Sequence, residues 1–228
     1  MDDKGRGAFT SVGKDNGQPF YTYKKALPQD GLTPEKGFNY EAVHLGVLSI
    51  ENRLVQLGFR VKIDGIFGPG VESAIREFQA RNGLTVSGEI GFNTGAALFK
   101  DVIAGVGKSY PFPPSLIWGL KKAESGGDPG AVGYDTPNDR GLYQFNTSYP
   151  GVDKFQAHDF DLSTEVVFTR FMGAWKKYMG KGPELRTNCS IMQHKSPLAA
   201  EQWFKNGIPT DDVCANYVSR VKGFALTY

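Results

Sequence analysis

A short motif that occurs twice, 23 residues apart, constrains the fold of this chain more than any other feature. The two copies are the turns Asp64-Gly65-Ile66-Phe67-Gly68 and Ser87-Gly88-Glu89-Ile90-Gly91. Four pairs share the offset: Gly65 with Gly88, Gly68 with Gly91, Ala74 with Ala97, and Ile75 with Leu98. Each turn leads into a helix, so the repeat and one preceding helix predict a compact three-helix domain.

The spacing of apolar residues predicts the helices of this domain. Val47, Ile50, Leu54 and Leu57 recur every three or four residues, which is one face of a helix. Gly58 follows Leu57 and is a suitable helix stop. A second helix is predicted over residues 71–81, and its inward-facing residues are Ala74, Ile75 and Phe78.

The same region, roughly residues 43–99, resembles the three-helix peptidoglycan-binding module of many cell-wall hydrolases. Four motifs occur in the order found in that family: Leu57-Gly58-Phe59, Asp64-Gly65-Ile66-Phe67-Gly68, Ala74-Ile75-Arg76-Glu77-Phe78-Gln79 and Asn82-Gly83-Leu84. Val71 departs from the pattern, because the family usually has a threonine at the start of that helix. The resemblance implies that a surface of this module binds bacterial peptidoglycan.

The chain is expected to contain a leader, two domains and a linker. Residues 1–40 are rich in glycine and proline without an apolar period, which indicates a flexible or loosely docked leader. The binding domain is assigned to residues 41–100, and residues 101–112 are expected to be a linker. Residues 113–228 form the second domain. The predicted fold class is mainly α.

Glu124 is the candidate catalytic residue of the second domain. A helix with an apolar face is predicted over residues 115–123, and the turn Gly126-Gly127-Asp128-Pro129 stops it. Glu124 therefore lies between an apolar helix and a loop, where a carboxyl group can serve as a general acid. A solvated surface glutamate at a helix end is the alternative interpretation.

Two motifs around Glu124 resemble the catalytic domain of soluble lytic transglycosylases, which has a lysozyme-like fold. They are Ala123-Glu124-Ser125-Gly126-Gly127-Asp128-Pro129-Gly130-Ala131-Val132 and Arg140-Gly141-Leu142-Tyr143-Gln144-Phe145. Near the end of the chain, Asn216-Tyr217-Val218 resembles the closing motif of that family. The sequence departs from the family at Gly133, where a serine is usual, and in a longer loop over residues 134–139.

This resemblance implies that Glu124 is the sole acid/base of a lytic transglycosylase. The glutamate would protonate the leaving oxygen of the MurNAc–GlcNAc bond and then remove the proton of the sugar's own C6 hydroxyl. The product would be a 1,6-anhydromuramoyl sugar, and neither a metal nor a cofactor is needed. The implied substrate-binding residues are Gln144, Tyr143, Tyr217 and Ser125.

Two other functions fit the same residues. A hydrolytic muramidase would need a second carboxylate, for which Asp135 and Asp139 are candidates, although both also suit exposed turns. A non-catalytic wall-binding structural protein is the other possibility, which the glycine at position 133 favours.

Cysteine-based and zinc-based wall peptidases are weakly supported. Cys189 and Cys214 are interpreted as two buried thiols, with a disulfide between them as the alternative. Cys189 with His194 and Cys214 with His158 are the nucleophile pairs that could be proposed, and neither lies in a recognisable motif. The histidines show no metal-ligand spacing.

Composition and net charge limit the kinds of partner that this chain can have. A net charge of +2 provides no basic arm for nucleic acid, and no apolar run approaches the length of a membrane span. The polar N-terminus lacks the apolar core of a signal peptide. A chain without an export signal that joins a wall-binding module to a lytic domain resembles a bacteriophage endolysin. This resemblance implies a protein, expected to be monomeric, that is made in the host cytoplasm and reaches the periplasm or cell wall through another protein. A virion-associated lysin is the alternative.

Overall fold

A computed structural model describes most of the chain, and the described residues are mainly helical, which confirms the predicted fold class. The residues described are 9–15, 18–23, 40–133 and 138–228. The prediction of a flexible leader falls largely outside these residues. Its described part contains an antiparallel pair of strands that the sequence analysis did not predict, β1 (Phe9–Asp15) and β2 (Gln18–Tyr23).

Nine helices and two further short strands follow in the described part of the chain. The helices are α1 (Tyr40–Gln56), α2 (Pro69–Arg81), α3 (Phe92–Gly107), α4 (Pro114–Ser125), α5 (Lys154–His158), α6 (Phe160–Lys177), α7 (Pro183–Lys195), α8 (Pro197–Asn206) and α9 (Asp212–Ala225). The strands β3 (Asp139–Arg140) and β4 (Phe145–Asn146) pair antiparallel.

The helices predicted over residues 71–81 and 115–123 are confirmed as α2 and α4, whose ends differ from the predicted ones by at most two residues. Helix α6 begins at Phe160, directly after Asp159. The reason is a cap: the Asp159 carboxylate accepts a hydrogen bond of 2.9 Å from the backbone N–H of Leu162. A side-chain acceptor at this position satisfies one of the free N–H groups at a helix start.

Helices α1, α2 and α3 form the three-helix domain. Val47, Ile50 and Leu54 are fully buried on α1, as the spacing predicted. Burying one such side chain contributes about 1.5–3 kcal/mol. Arg53 of α1 reaches α3, where its Nε donates to the carbonyl of Leu98 at 2.6 Å.

The first copy of the repeated turn is held by a buried carboxylate. Oε2 of Glu51, on α1, accepts hydrogen bonds from the backbone N–H groups of Asp64 (2.9 Å) and Gly65 (2.8 Å). The Asp64 side chain in turn accepts from the N–H of Ile66 at 3.0 Å. Gly65 has a φ of 71°, a left-handed conformation that glycine adopts without strain.

The second copy uses a neutral amide in the same place. Oε1 of Gln79, on α2, accepts from the N–H groups of Ser87 and Gly88, both at 2.9 Å. Its Nε2 donates to the carbonyl of Glu89 (2.8 Å) and to Oγ1 of Thr94 on α3 (3.0 Å). The repeat seen in the sequence is therefore also a repeat of hydrogen bonds.

The described residues form two compact units, each built from separate segments of the chain. The first contains the described part of Met1–Asp101 together with Glu124–Ser163, and the second contains Val102–Ala123 and Thr164–Tyr228. The grouping differs from the predicted division at residues 101–112, because the segment that follows Glu124 joins the unit of the three-helix domain. The first residues of the expected linker continue α3 as far as Gly107.

An aromatic cluster forms much of the core in the second unit. Phe112 lies 5.9 Å from Phe168 and 4.7 Å from Phe171 between ring centroids. Phe168 and Phe171 lie on α6, and both are buried. On α4, Gly119 lies against α9, since a Cβ there would be only 2.2 Å from the carbonyl oxygen of Val221.

Candidate active site

Glu124 lies in the last turn of α4, where two glycines end the helix. Gly126 and Gly127 have φ values of 68° and 100°, which reverse the chain directly after Ser125. Glu124 is partly buried.

Ser125 joins the two motifs that the sequence analysis singled out. Its Oγ donates a hydrogen bond of 2.8 Å to the carbonyl of Leu142 and accepts one of 3.1 Å from the N–H of Gly127. The turn that follows Glu124 (residues 124–131, the Glu124 turn) therefore lies beside the turn at residues 141–144 (the Gln144 turn). Because the hydroxyl is engaged in both roles, its evident task is to connect these turns.

Gly141 is required by a close approach of two backbones. Its φ is 73°, and a Cβ there would lie 1.7 Å from the carbonyl oxygen of Ala157 on α5. Its N–H donates to the carbonyl of Ala131 at 2.8 Å, which adds a second link between the two turns. Any side chain at position 141 would force the Gln144 turn away from α5.

Gln144 has a left-handed backbone, with a φ of 48°, and is the non-glycine residue with positive φ among the described residues. This conformation costs a non-glycine residue roughly 1 kcal/mol or more, and it concentrates at functional sites. The side-chain Nε2 donates to the carbonyl of Gly141 at 2.9 Å. The amide is thereby fixed next to the joined turns, which fits a residue that orients a substrate.

The two tyrosines predicted to shape the cleft are both buried. Tyr143 is 0 % exposed, with its ring 5.9 Å from that of Phe145, so its side chain packs beneath the Gln144 turn. Tyr217 is 6 % exposed and lies on α9 in the second unit, within 6 Å of the Lys195 and Arg220 cations. A sugar contact by either side chain stays a prediction that the geometry does not support.

Of the two aspartates that could supply a second catalytic carboxylate, Asp135 and Asp139, the structure describes Asp139. Asp135 lies outside the described residues. Asp139 is partly buried on β3, and its Oδ1 accepts a hydrogen bond of 2.8 Å from Nδ2 of Asn146. Asp128 is buried in the Glu124 turn, where Oδ1 accepts from the N–H of Gly130 at 2.6 Å. Asp128 therefore supports the turn.

His158, which the sequence analysis considered only as a partner for Cys214, belongs to the candidate site through the Glu124 turn. It is the last residue of α5, is 1 % exposed, and places Nδ1 2.5 Å from the carbonyl oxygen of Pro129 in the Glu124 turn. A carbonyl only accepts, so Nδ1 carries the proton and donates. The sequence signal that could have located α5 is the capping box of Asp153 and Gln156.

The thiols are buried and free, which confirms the interpretation of two buried cysteines. Burial raises the pKa of Cys189 to about 11 and also raises that of Cys214. A thiol nucleophile needs the opposite shift, so neither cysteine suits nucleophilic catalysis. Among the described residues, no three His, Cys, Asp or Glu side chains form a group that could hold a metal ion.

None of the helices in the described ranges combines the length and the apolar character needed to cross a membrane.

No curated protein matches the chain at a significant level. Residues 44–98 match the family described as a putative peptidoglycan binding domain. The matched residues run from within α1 to within α3 and include both copies of the repeated turn. The chain therefore contains a peptidoglycan-binding module at residues 44–98, called the binding module below.

Proposed function

We propose that this chain cleaves the MurNAc–GlcNAc bond of peptidoglycan by lytic transglycosylation, with Glu124 as the single acid/base. The observation that carries the proposal is the hydrogen bond from Ser125 to Leu142, because it brings the Glu124 turn and the Gln144 turn together. The binding module in the same chain supports peptidoglycan as the substrate.

The chemistry requires one carboxyl group that changes role. Glu124 first donates its proton to the glycosidic oxygen as the bond to the anomeric carbon breaks, which forms an oxocarbenium-like centre. The resulting carboxylate then accepts the proton of the C6 hydroxyl, whose oxygen attacks the anomeric carbon. This closes the 1,6-anhydro ring and returns Glu124 to its protonated state.

Gln144 is suited to orient the sugar for these steps. One amide hydrogen of its side chain is used for the Gly141 carbonyl, and the amide retains a second hydrogen and its oxygen for substrate. An N-acetyl group offers one acceptor and one donor, which a side-chain amide matches. The strained left-handed backbone of Gln144 is then explained by the orientation that it gives to the side-chain amide.

The proposal is tested by replacing Glu124 with glutamine, which keeps the shape and removes the proton transfer. Glu165→Gln is the matched control, because Glu165 is an exposed glutamate on α6. Loss of the acid/base is expected to lower the rate of peptidoglycan cleavage by at least about 10²-fold, while the control keeps the wild-type rate. A folded Glu124→Gln protein with full activity would contradict the assignment.

A non-catalytic wall-binding protein is the second candidate, and one observation favours it. The family match covers the binding module alone and leaves out the segment that carries Glu124. Wild-type protein that binds purified sacculi and releases no soluble fragments would establish this alternative.

A hydrolytic muramidase is the third candidate, because Asp139 is partly buried close to the Gln144 turn in sequence. It predicts reducing-end products, and it predicts that Asp139→Asn abolishes their release.

We propose a bacteriophage endolysin as the biological setting, with the periplasm or cell wall as its place of action. In that setting, expression in a bacterial host causes lysis only when the inner membrane is opened. Lysis without any permeabilising agent or partner would contradict this part of the proposal.

A further inference from the structure

The binding module contacts the segment that carries the proposed acid/base, and this contact passes through Phe160. Phe160 is the first residue of α6 and is 3 % exposed. Its ring stacks on Phe99 of α3 with 3.7 Å between centroids and 7° between planes. Its backbone N–H donates to Oγ of Ser49 on α1 at 3.1 Å. One residue is thus fixed to both outer helices of the module.

A polar contact lies beside this anchor. Nε2 of Gln56, the last residue of α1, donates to Oδ2 of Asp161 at 2.7 Å. Ser49, Phe99 and Phe160 are all buried, so the contact has a dry centre and a polar rim. An apolar core with a polar rim is the usual composition of a specific protein interface.

From Phe160 the connection continues into both turns of the site through α5. His158, two residues earlier, donates to the Pro129 carbonyl in the Glu124 turn. The Ala157 carbonyl lies against Gly141 at the start of the Gln144 turn. The helix α5 therefore braces one turn by a hydrogen bond and the other by backbone packing.

The module also approaches the Glu124 turn directly. Gly95, in the first part of α3, is buried, and a Cβ placed on it would lie 3.7 Å from the carbonyl oxygen of Gly127. A methyl group would just fill this space, so α3 passes close to the residues after Glu124 with no side chain between them. This close approach adds to the connection that runs through Phe160.

We propose that the peptidoglycan-binding module is a positioning element of the candidate active site and that Phe160 is the residue through which it acts. The inference rests on the proposed function, and it adds that the module does more than hold the protein on the wall. Separating the module from α5 loosens the two turns and lowers turnover, although the module still binds peptidoglycan.

The experiment uses the full chain with Phe160→Ala and the milder Phe160→Leu. Phe155→Ala is the matched control, because Phe155 lies on the neighbouring helix α5 and is 58 % exposed. Three quantities are measured: binding to purified sacculi by co-sedimentation, the rate of release of soluble fragments, and hydrogen exchange in peptides covering residues 124–131 and 139–146.

Phe160→Ala is expected to bind sacculi within about twofold of wild type and to release fragments at least about tenfold more slowly, because misplaced catalytic groups lower turnover. Exchange in the two turns is expected to accelerate, and Phe160→Leu should give an intermediate result. Phe155→Ala should match wild type in all three quantities. A purely structural role of Phe160 predicts instead that binding and turnover fall together as the fold is lost.

Wild-type exchange in both turns of a folded Phe160→Ala or Phe160→Leu protein would overturn the inference. Faster exchange with an unchanged cleavage rate would overturn it as well, because the turns would then not need the module for catalysis. If wild-type protein binds sacculi without cutting them, the proposed function fails, and the exchange measurement still decides whether the module braces the turns.

Discussion

Replacing Glu51 with glutamine is expected to stabilise the binding module. Glu51 is 0 % exposed, and among the described residues its Oε1 has no hydrogen-bond partner, whereas Oε2 accepts two backbone N–H groups. Gln79 occupies the equivalent place in the second copy of the repeat and uses its amide NH₂ as a donor. Ile66 is the residue of the first copy that corresponds to Glu89, whose carbonyl accepts from Gln79. The amide of a glutamine at position 51 can therefore donate to the Ile66 carbonyl in the same way.

The size of the effect follows from the unpaired oxygen. A buried acceptor without a partner costs about 1–3 kcal/mol, so Glu51→Gln should raise the free energy of unfolding by about 1–2 kcal/mol near neutral pH. The reverse change, Gln79→Glu, removes the donor to Glu89 and Thr94 and places a charge against a carbonyl oxygen. We expect it to lower the free energy of unfolding by about 2–4 kcal/mol.

The gain should depend on pH with a defined sign. Burial, followed by the nearby negative charge of Asp64, raises the pKa of Glu51 above its ordinary value of 4.5. A carboxyl whose pKa is raised in the folded state contributes stability below its unfolded pKa, and this stability is lost as the pH rises through the folded value. The advantage of Glu51→Gln is therefore small below about pH 4.5 and grows above it.

Hydrogen exchange in peptides from residues 44–98 is the suitable assay. All three tryptophans, Trp118, Trp175 and Trp203, belong to the second unit, so their fluorescence does not report on the module. A gain of 1–2 kcal/mol slows exchange through global opening by about 5- to 30-fold. Equal or faster exchange in Glu51→Gln at neutral pH would refute the reasoning, as would a stabilising Gln79→Glu.

Three further outcomes are expected. Val71→Thr should stabilise the module by about 1 kcal/mol, because Val71 stands 23 residues before Thr94 and its new hydroxyl can donate to Oε1 of Glu51; slower exchange in peptides from α2 is the readout. Gly141→Ala should destabilise the first unit by about 3 kcal/mol or more in urea unfolding, because its Cβ would collide with a backbone carbonyl. Cys189 should react with a thiol reagent about a hundredfold more slowly than a free cysteine at neutral pH, since burial raises its pKa to about 11 from an ordinary 9.0.

Each of these outcomes has a control or a contradicting result. Gly173→Ala is the control for Gly141, because Gly173 is exposed on α6 with open space around it and should be neutral or slightly stabilising. Ser73→Thr on the exposed face of α2 is the control for Val71. Rapid modification of Cys189 in the folded protein would contradict its buried position.

The spacing of apolar residues predicted correctly which side chains of α1 and α2 are buried. Val47, Ile50 and Leu54 are buried on α1, and Ile75 and Phe78 are buried on α2, as their spacing predicted. The repeated turns were visible because glycine is needed at the same left-handed position in both copies.

The grouping into units could not be predicted, because it depends on contacts between residues far apart in the sequence. The helices α4 and α5 and the strands β3 and β4 lie between Phe99 and Phe160, and each of these two residues fits a local helical pattern. Nothing in either pattern indicates the partner. The role of His158 was hidden for the same reason, since its acceptor is a backbone carbonyl.

The candidate site was predicted through its motifs and not through its geometry. The sequence identified Glu124, Ser125 and Gln144, and the structure adds the Ser125 hydrogen bond and the left-handed backbone of Gln144. The sequence also led to Tyr143 as a cleft residue, whereas its side chain is fully buried. A motif conveys which residues occur together, and burial is decided by the surrounding elements.

The most direct test of the central claim is the mass of the muropeptides released from purified peptidoglycan by the wild-type protein and by Glu124→Gln. The account predicts 1,6-anhydromuropeptides from wild type and none from Glu124→Gln. Products one water heavier, with free reducing ends, would contradict the transglycosylase mechanism and direct attention to Asp139. Released peptides with intact glycan strands, or equal products from both proteins, would contradict the assignment of Glu124 itself.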